Sequence, residues 1–336
     1  MLKLLKSKYA FRWEVEMVKV VVVGTGGMAN VHLDNYAYIK NAKVVGVVTH
    51  SKIGEETANL RKIDFYTSLD DVFSSVDFDL IDICTPTFTH YEIAKKALLQ
   101  NKSVICEKPF TLKLDNAKEL FELAKQRSCF IYIAQVVRFA KESKILKRVV
   151  EEGPFGKVLD AEFLRLSSYP FWIKSDWLKD KNKSGQVAFD LHIHDLDLIV
   201  SIFGEPKDYN IYKNGRENIG YSEFYRFTYK YDKFQIVAQA SWYNSKIPFN
   251  NSWRVVFETA VMIFDGKELI AYPANKEKIV YDIKDEILIP TAINLPPTGW
   301  FYNELSDFIN SFENKKNSNV VLNEEVLSVL KILNSF

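Results

Sequence analysis

Apolar residues gather in short, nearly unbroken runs at Val18–Val23, Val44–Val48, Leu80–Cys84, Ser103–Cys106 and Phe130–Ala134. The runs are rich in β-branched side chains, as expected of parallel strands covered on both faces. Stretches with helical spacing separate them. Thr89-His90-Tyr91-Glu92 has the form of a capping box, and Ile93, Ala94, Ala97 and Leu98 then make one apolar face. Asp115 is placed to cap the next helix, whose face is Ala117, Leu120, Phe121 and Ala124. This alternation predicts an α/β fold: a doubly wound parallel sheet of the Rossmann kind over residues 17–140.

The rhythm changes after about residue 140. Glu151-Glu152-Gly153-Pro154-Phe155-Gly156-Lys157 reads as a turn that ends a helix and launches a strand. Alternating aromatic segments follow at Glu223–Tyr229, Gln235–Trp242 and Trp253–Phe264, broken by polar turns at Tyr231-Asp232-Lys233 and Asp265-Gly266-Lys267. They predict an antiparallel sheet with one covered face. Residues 141–336 are therefore read as a second domain. Its closing helix, 319–336, is placed to pack back on the first. Residues 1–16 fit no repeating pattern. Met17 would make a natural start, and the segment before it is expected to be a surface extension without chemistry.

A chain of 336 residues exceeds one modest core, which agrees with two domains. A net charge of +1 gives no global pull towards nucleic acid. No apolar run approaches the ~20 residues of a membrane span, and the start lacks the form of a signal peptide. Cys84, Cys106 and Cys129 are an odd number without metal-ligand spacing. They predict reduced, buried thiols in a cytoplasmic protein and no metal site.

The candidate chemistry begins at Gly24-Thr25-Gly26-Gly27-Met28-Ala29, directly after the first apolar run. Gly24 permits a tight turn, Gly26 lets backbone approach a pyrophosphate, and Ala29 lets the helix pack closely on the strand. The helix start behind them offers free N–H groups to phosphates. The end of the second strand selects the cofactor. There, Thr49, His50, Ser51 and Lys52 present hydroxyls and a cation, and no carboxylate precedes Glu55. A 2′-phosphate suits that set better than a bare ribose does, so the reading is NAD(P) with a lean to NADP. Thr85-Pro86-Thr87 ends another strand and is expected to line the cofactor. His90 follows, cofactor-side or structural.

Glu107-Lys108-Pro109 ends the next strand and opens onto the same crevice. A lysine there is a candidate proton donor. Glu107 is a candidate anchor for its ammonium or for the cofactor's ribose. The last cluster is Asp190-Leu191-His192-Ile193-His194-Asp195-Leu196-Asp197. On a helix, Asp190 and His194 are neighbours at i and i+4, a workable proton relay. Three readings of this cluster stand at this point. They are a catalytic pair, a structural helix start, and a zinc site built on His192 and His194, as a hydrolase would need.

With these residues in hand, the chain resembles the Gfo/Idh/MocA family of nicotinamide-dependent oxidoreductases. The likeness runs from Met17 to the C-terminal helix. It rests on Gly24–Ala29, Thr85-Pro86 with His90, Glu107-Lys108-Pro109, Gly153-Pro154-Phe155-Gly156 and Asp190-x-x-x-His194-x-x-Asp197. The resemblance implies a Rossmann domain followed by a large, open, mainly antiparallel sheet whose faces pair into homodimers or homotetramers. It implies sugar- or polyol-like substrates, with no nucleic-acid or membrane partner. It casts Lys108 beside the reacting hydroxyl, His194 as the acid-base group, and Asp190 as the carboxylate that orients it. Arg165, Trp172 and Trp177 become pocket walls. His192 stands where the family often has glycine, which points an extra imidazole at the substrate. The glycine-rich stretch before the aspartate is reduced to Ser184-Gly185-Gln186. The competing reading is a nicotinamide-sensing regulator on the same fold.

Overall fold

Five of the six residues of β1 (Val18–Val23) are buried, since strands flank it and helices cover both faces of its sheet. In the computed structural model, which describes residues 17–171, 176–293 and 295–336, β1 leads through α1 (Gly27–Tyr36) to β2 (Ala42–Val48). The pattern continues with α2 (Lys52–Arg61), β3 (Phe65–Tyr66), α3 (Leu69–Ser75), β4 (Leu80–Ile83), α4 (His90–Leu99), β5 (Ser103–Glu107), α5 (Leu114–Gln126) and β6 (Ile131–Ala134). All six strands run parallel in the order β3-β2-β1-β4-β5-β6. The direction of winding reverses between β1 and β4. The crevice at the carboxyl ends of those strands is where such sheets bind ligands.

The second domain opens with α6 (Lys141–Glu152), which Gly153 closes in the left-handed region at φ +65°. The long β7 (Val158–Ser168) follows, then the short α7 (Lys181–Ser184), a π-helical turn over Ala188–His192 and α8 (Ile193–Phe203). Seven further strands complete the sheet: β8 (Asp208–Asn214), β9 (Phe224–Lys230), β10 (Gln235–Tyr243), β11 (Asn250–Phe257), β12 (Ala260–Phe264), β13 (Leu269–Pro273) and β14 (Ile279–Tyr281). Their order is β14-β13-β12-β11-β7-β10-β9-β8, antiparallel except for the β7–β10 pair. Inner positions such as Phe163, Phe227, Ala238 and Met262 are fully buried, while Leu164, Arg226, Val237 and Ile263 on the other face are not.

Two helices close the chain. α9 (Trp300–Glu313) returns to the first domain and packs on α1. α10 (Asn323–Leu333) lies between α8 and α5, and Asn334 beyond it donates to Leu112 O and accepts from Leu114 N. The expected α/β architecture is present, with corrections. Thr89 does not cap α4, because its hydroxyl bonds Thr85 Oγ1 and Pro86 O instead. Asp115 sits inside the first turn of α5, where Lys113 holds the cap position. Trp253–Phe264 is two strands joined at Glu258-Thr259. Cys84 and Cys106 are buried, but Cys129 is only partly so. Residues 1–16 lie outside the described residues.

Candidate active site

The glycine loop fits a dinucleotide. Gly24 adopts φ +108°, and a Cβ there would meet the Cys84 carbonyl oxygen at 2.6 Å, so only glycine lets β1 turn this close to β4. A Cβ on Gly26 would meet nothing within 4 Å, which leaves open space against the backbone. α1 has no side-chain cap and no acidic residue in its first turn, so its leading N–H groups and positive dipole end are left for an anion. Thr25 Oγ1 lies 3.0 Å from Thr49 Oγ1, and Thr49 Oγ1 lies 3.3 Å from Ser51 Oγ. Ser51 caps α2 by accepting from Gly54 N at 3.0 Å, which aims that helix's N-terminus at the same hydroxyls. His50 and Lys52 are exposed beside them.

Two histidines fix the strand exits that face the loop. His90 is buried, with Nδ1 2.9 Å from Pro109 O and Nε2 2.8 Å from Thr85 O. Burial lowers its pKa, and the two carbonyls pull the other way. Its ring ties the Thr85-Pro86-Thr87 turn to Glu107-Lys108-Pro109 from inside, so it supports the crevice and does not line it. Thr87 is buried too, whereas Thr85 and Pro86 are half-exposed. The second histidine, His32, reaches Glu107 from α1: His32 Nε2 lies 3.1 Å from Glu107 Oε1. Glu107 Oε2 accepts the Lys108 backbone N–H at 3.1 Å. Glu107 thus points into the protein. It neither anchors the Lys108 ammonium nor offers itself to a ribose.

Lys108 reaches the other way, towards the second domain. Its Nζ donates to the Asp190 carbonyl at 2.6 Å and to Asp190 Oδ1 at 3.2 Å, across the domain boundary. The structure therefore brings Lys108 and Asp190 together, and His194 is near enough to feel both Lys108 and Arg165. Burial first, then those two cations, hold the His194 pKa well below the usual histidine value, so the ring is neutral at pH 7. The expected Asp190–His194 pairing is not made. The π-helical turn over Ala188–His192 inserts an extra residue into the register. Asp190 turns to Lys108, and His194 Nδ1 is left buried without a partner.

Other assignments also change. Arg165 is 4% exposed and spans Asp195 Oδ1 at 2.7 Å and Asn251 Oδ1 at 3.1 Å through Nη2. His192 faces the sheet: its ring stacks on Phe227 at 3.7 Å and 5°, and Nε2 meets Tyr229 OH at 2.6 Å. Burial, and secondly the Arg165 charge, push its pKa to about 3. His192 and His194 therefore do not converge on a metal. Trp177 is half-buried and edge-on to Phe88 of the β4–α4 connection, 6.3 Å between ring centres, at the rim between the domains. Trp172 lies outside the described residues. Asp197 joins Arg138 through both oxygens, at 2.6 and 2.7 Å, and Glu325 of α10 adds a third bond to the same guanidinium.

With this geometry in place, residues 18–135 match the family described as oxidoreductases with an NAD-binding Rossmann fold. Residues 144–262 match the Gfo/Idh/MocA C-terminal domain. The chain belongs to the Gfo/Idh/MocA oxidoreductase family. It is 33% identical over 201 residues to an uncharacterized oxidoreductase of Schizosaccharomyces pombe, covering 56% of this chain and 53% of that one. It is 27% identical over 191 residues to the myo-inositol 2-dehydrogenase of Thermotoga maritima, covering 56% and 55%. The chain thus spans about half the length of the curated relatives it matches. Its fold is similar to a levoglucosan dehydrogenase solved with NADH and levoglucosan, with a TM-score of 0.82 over 95% of each chain at 17% identity.

Within this Gfo/Idh/MocA chain, His32 and Asp82 stand behind the crevice, bonded to each other and outside the motifs above. A signal existed. Asp82 interrupts an otherwise apolar, fully buried strand, Leu80-Ile81-Asp82-Ile83, and a charge there requires a buried partner. His32 sits on the helix that follows the glycine loop and supplies that partner.

Proposed function

We propose that this protein transfers a hydride between a nicotinamide dinucleotide and a sugar- or polyol-like alcohol or its ketone. The observation that carries the reading is the Lys108–Asp190 contact, which sets a strand-exit ammonium of the dinucleotide domain against the second domain at the crevice mouth. When bound, the nicotinamide supplies the hydride acceptor or donor. The uncapped start of α1 and the open space at Gly26 hold its pyrophosphate. Lys108 donates a hydrogen bond to the reacting oxygen. The neutral His194, half-buried at the start of α8, exchanges the hydroxyl proton. Asp190 restrains Lys108 and does not orient His194.

The finer assignments follow from the same surfaces. Thr25, Thr49, Ser51 and Lys52, with the α2 N-terminus, suit a 2′-phosphate, so NADP is the proposed cofactor. Two copies pair through the open sheet face, where Ile263 opposes Ile270, which opposes Val280, leaving an apolar strip beside Tyr272. The three cysteines form no disulfide, which suits the reducing cytoplasm. Among the described residues, no helix is long and apolar enough to cross a membrane.

The test is dinucleotide reduction followed at the nicotinamide absorbance over a panel of polyols and anhydrosugars that includes myo-inositol and levoglucosan. Substrate-dependent reduction that Lys108→Met abolishes is expected. Tight dinucleotide binding with no turnover on any panel member, in either direction, would instead mark a sensor.

A further inference from the structure

Beneath the crevice floor lies a group of buried ionisable side chains that the proposed reaction does not use. His32 and Tyr36 lie one turn apart on α1, Asp82 and Cys84 lie at the end of β4, Glu107 ends β5, and Glu304 comes from α9. His32 is fully buried, with Nδ1 2.8 Å from Asp82 Oδ2 and Nε2 3.1 Å from Glu107 Oε1. Tyr36 OH donates to Asp82 Oδ2 at 3.0 Å, and Cys84 Sγ lies 3.3 Å from His32 Nδ1. His32, Asp82 and Cys84 hold metal-ligand atoms within 4.8 Å of one another. Each of those atoms is already hydrogen-bonded to another, so the group is a closed network and not a vacant coordination shell.

An imidazole with a carboxylate at each ring nitrogen is satisfied only when both nitrogens carry protons. Burial alone would hold His32 neutral. The Asp82 carboxylate overcomes that and raises its pKa well above the usual value. Burial, then the Glu107 charge, keeps Glu304 protonated, and burial keeps the Cys84 thiol protonated. The two carboxyl groups hydrogen-bonded to the His32 ring come from β4, as Asp82, and from β5, as Glu107. Tyr36, Cys84, Glu304 and the Phe301 ring of α9, 6.3 Å away, are neutral.

Resting on the hydride-transfer reading above, we propose that His32 is a positioning residue: a buried imidazolium that clamps Glu107 between α1 and β5 and so fixes where Lys108 presents its ammonium. The linkage is continuous. Asp82 holds His32, His32 holds one oxygen of Glu107, the other oxygen holds the Lys108 N–H, and the Lys108 side chain leaves from that fixed backbone to Asp190. Asp82, His32 and Glu107 are buried behind Lys108 and do not reach the substrate. Their contribution is to where Lys108 sits.

Three measurements on the full chain test this. Nitrogen NMR of the His32 ring should show both nitrogens protonated from about pH 6 to about pH 8, where an ordinary histidine titrates. A neutral ring at pH 7 overturns the proposal. Labelling of Lys108 by trinitrobenzenesulfonate, read by mass spectrometry with Lys95 as internal control, needs no turnover. His32→Gln and the isosteric Glu107→Gln should each raise its rate about fivefold, the equivalent of one lost hydrogen bond. Unchanged labelling in a folded Glu107→Gln protein overturns the proposal even if His32→Gln does not fold. With a substrate from the panel, both variants should lower kcat while dinucleotide KM stays within about twofold, the pattern of a lost transition-state contact. A kcat equal to wild type overturns it. If the wild type turns over nothing on the panel, the proposed reaction fails, and labelling and NMR still decide the role of His32.

Discussion

Lys108 Nζ and the Asp190 carboxylate lie 3.2 Å apart, one at the end of a Rossmann strand and the other in a π-helical turn of the second domain. The contact makes the ammonium a shared feature of two domains. A substrate entering the crevice has to compete with Asp190 for it. Removing the amine as Lys108→Ala should depress turnover by about 10²- to 10⁴-fold, the range for a lost acid-base partner. Dinucleotide affinity, read by fluorescence titration, should change less than about threefold, because the phosphates bind at the glycine loop. Turnover equal to wild type would remove Lys108 from the reaction.

His192 and His194 are two residues apart; His192 stacks on Phe227 of the sheet, while the Lys108 charge acts on His194. His192→Phe keeps the stack on Phe227 but strands the Tyr229 hydroxyl in the core. A loss of about 1–3 kcal/mol is expected, since a buried donor goes unmet. Adding Tyr229→Phe should restore most of it, because both partners are then apolar. KM for substrate should stay within about twofold throughout. A large rise in KM for His192→Phe alone would return His192 to the pocket. His194→Asn, by contrast, should lower kcat.

Much of this was legible in the sequence, and the remainder has a physical reason. Buried parallel strands are written as unbroken β-branched runs, so β1, β2, β4, β5 and β6 stand out. β3 has two residues, too short a run to be seen. Lys108 and Asp190 stand at a strand end and a helix start, positions that the sequence marks, and the structure joins them to each other. Direction failed at Glu107 and His192, which turn inward. A side chain one residue along a strand, or inside a π turn, faces another way, and the local sequence does not carry the long-range partner that draws it inward.

Arg138 joins three segments: its guanidinium bonds Asp197 of α8, Glu325 of α10 and the Val320 carbonyl. Arg138 and Asp197 are almost wholly buried. Arg138→Met removes the cation and leaves buried carboxylates facing each other. The expected cost is about 3–5 kcal/mol, the range for breaking a buried pair by removing one partner. It should appear as a lower urea midpoint. The double change Arg138→Met with Asp197→Leu should recover part of it. A single variant as stable as wild type would show that the pair is not needed to hold α8 and α10.

Glu142 is buried at the start of α6, and its pKa is pushed up from 4.5 to about 7, by burial first and by Asp285 second, against the pull of Arg165. The folded protein therefore binds one more proton than the unfolded chain between those two values. Stability tied to this group is fully present below about pH 4.5 and is lost as pH rises through about 7. The loss amounts to about 3 kcal/mol, from 1.36 kcal/mol per unit. Glu142→Gln cannot ionise. Its stability relative to wild type, measured by urea unfolding at successive pH values, should rise by about that amount across the window. A pH-independent difference would show that Glu142 ionises as freely as an exposed glutamate.

Ser51 decides between cofactors in a way that one substitution can test. The serine is exposed at the end of β2, next to Thr49 and Lys52, and its hydroxyl caps α2 through the Gly54 N–H. Aspartate is an equally good cap, so Ser51→Asp should leave the helix and the fold intact. It also places a carboxylate where a 2′-phosphate would lie and where a ribose diol would accept one. NADPH affinity should fall by about tenfold or more, at least 1.4 kcal/mol, while NADH affinity holds or improves. Raising salt should narrow the NADPH deficit, because the repulsion acts at an exposed site where charge is screened. Equal weakening of NADH and NADPH would mean that the mutation disturbs the loop and does not read the phosphate. Unchanged binding of both would place the adenosine ribose away from Ser51, and the lean to NADP would lose its support.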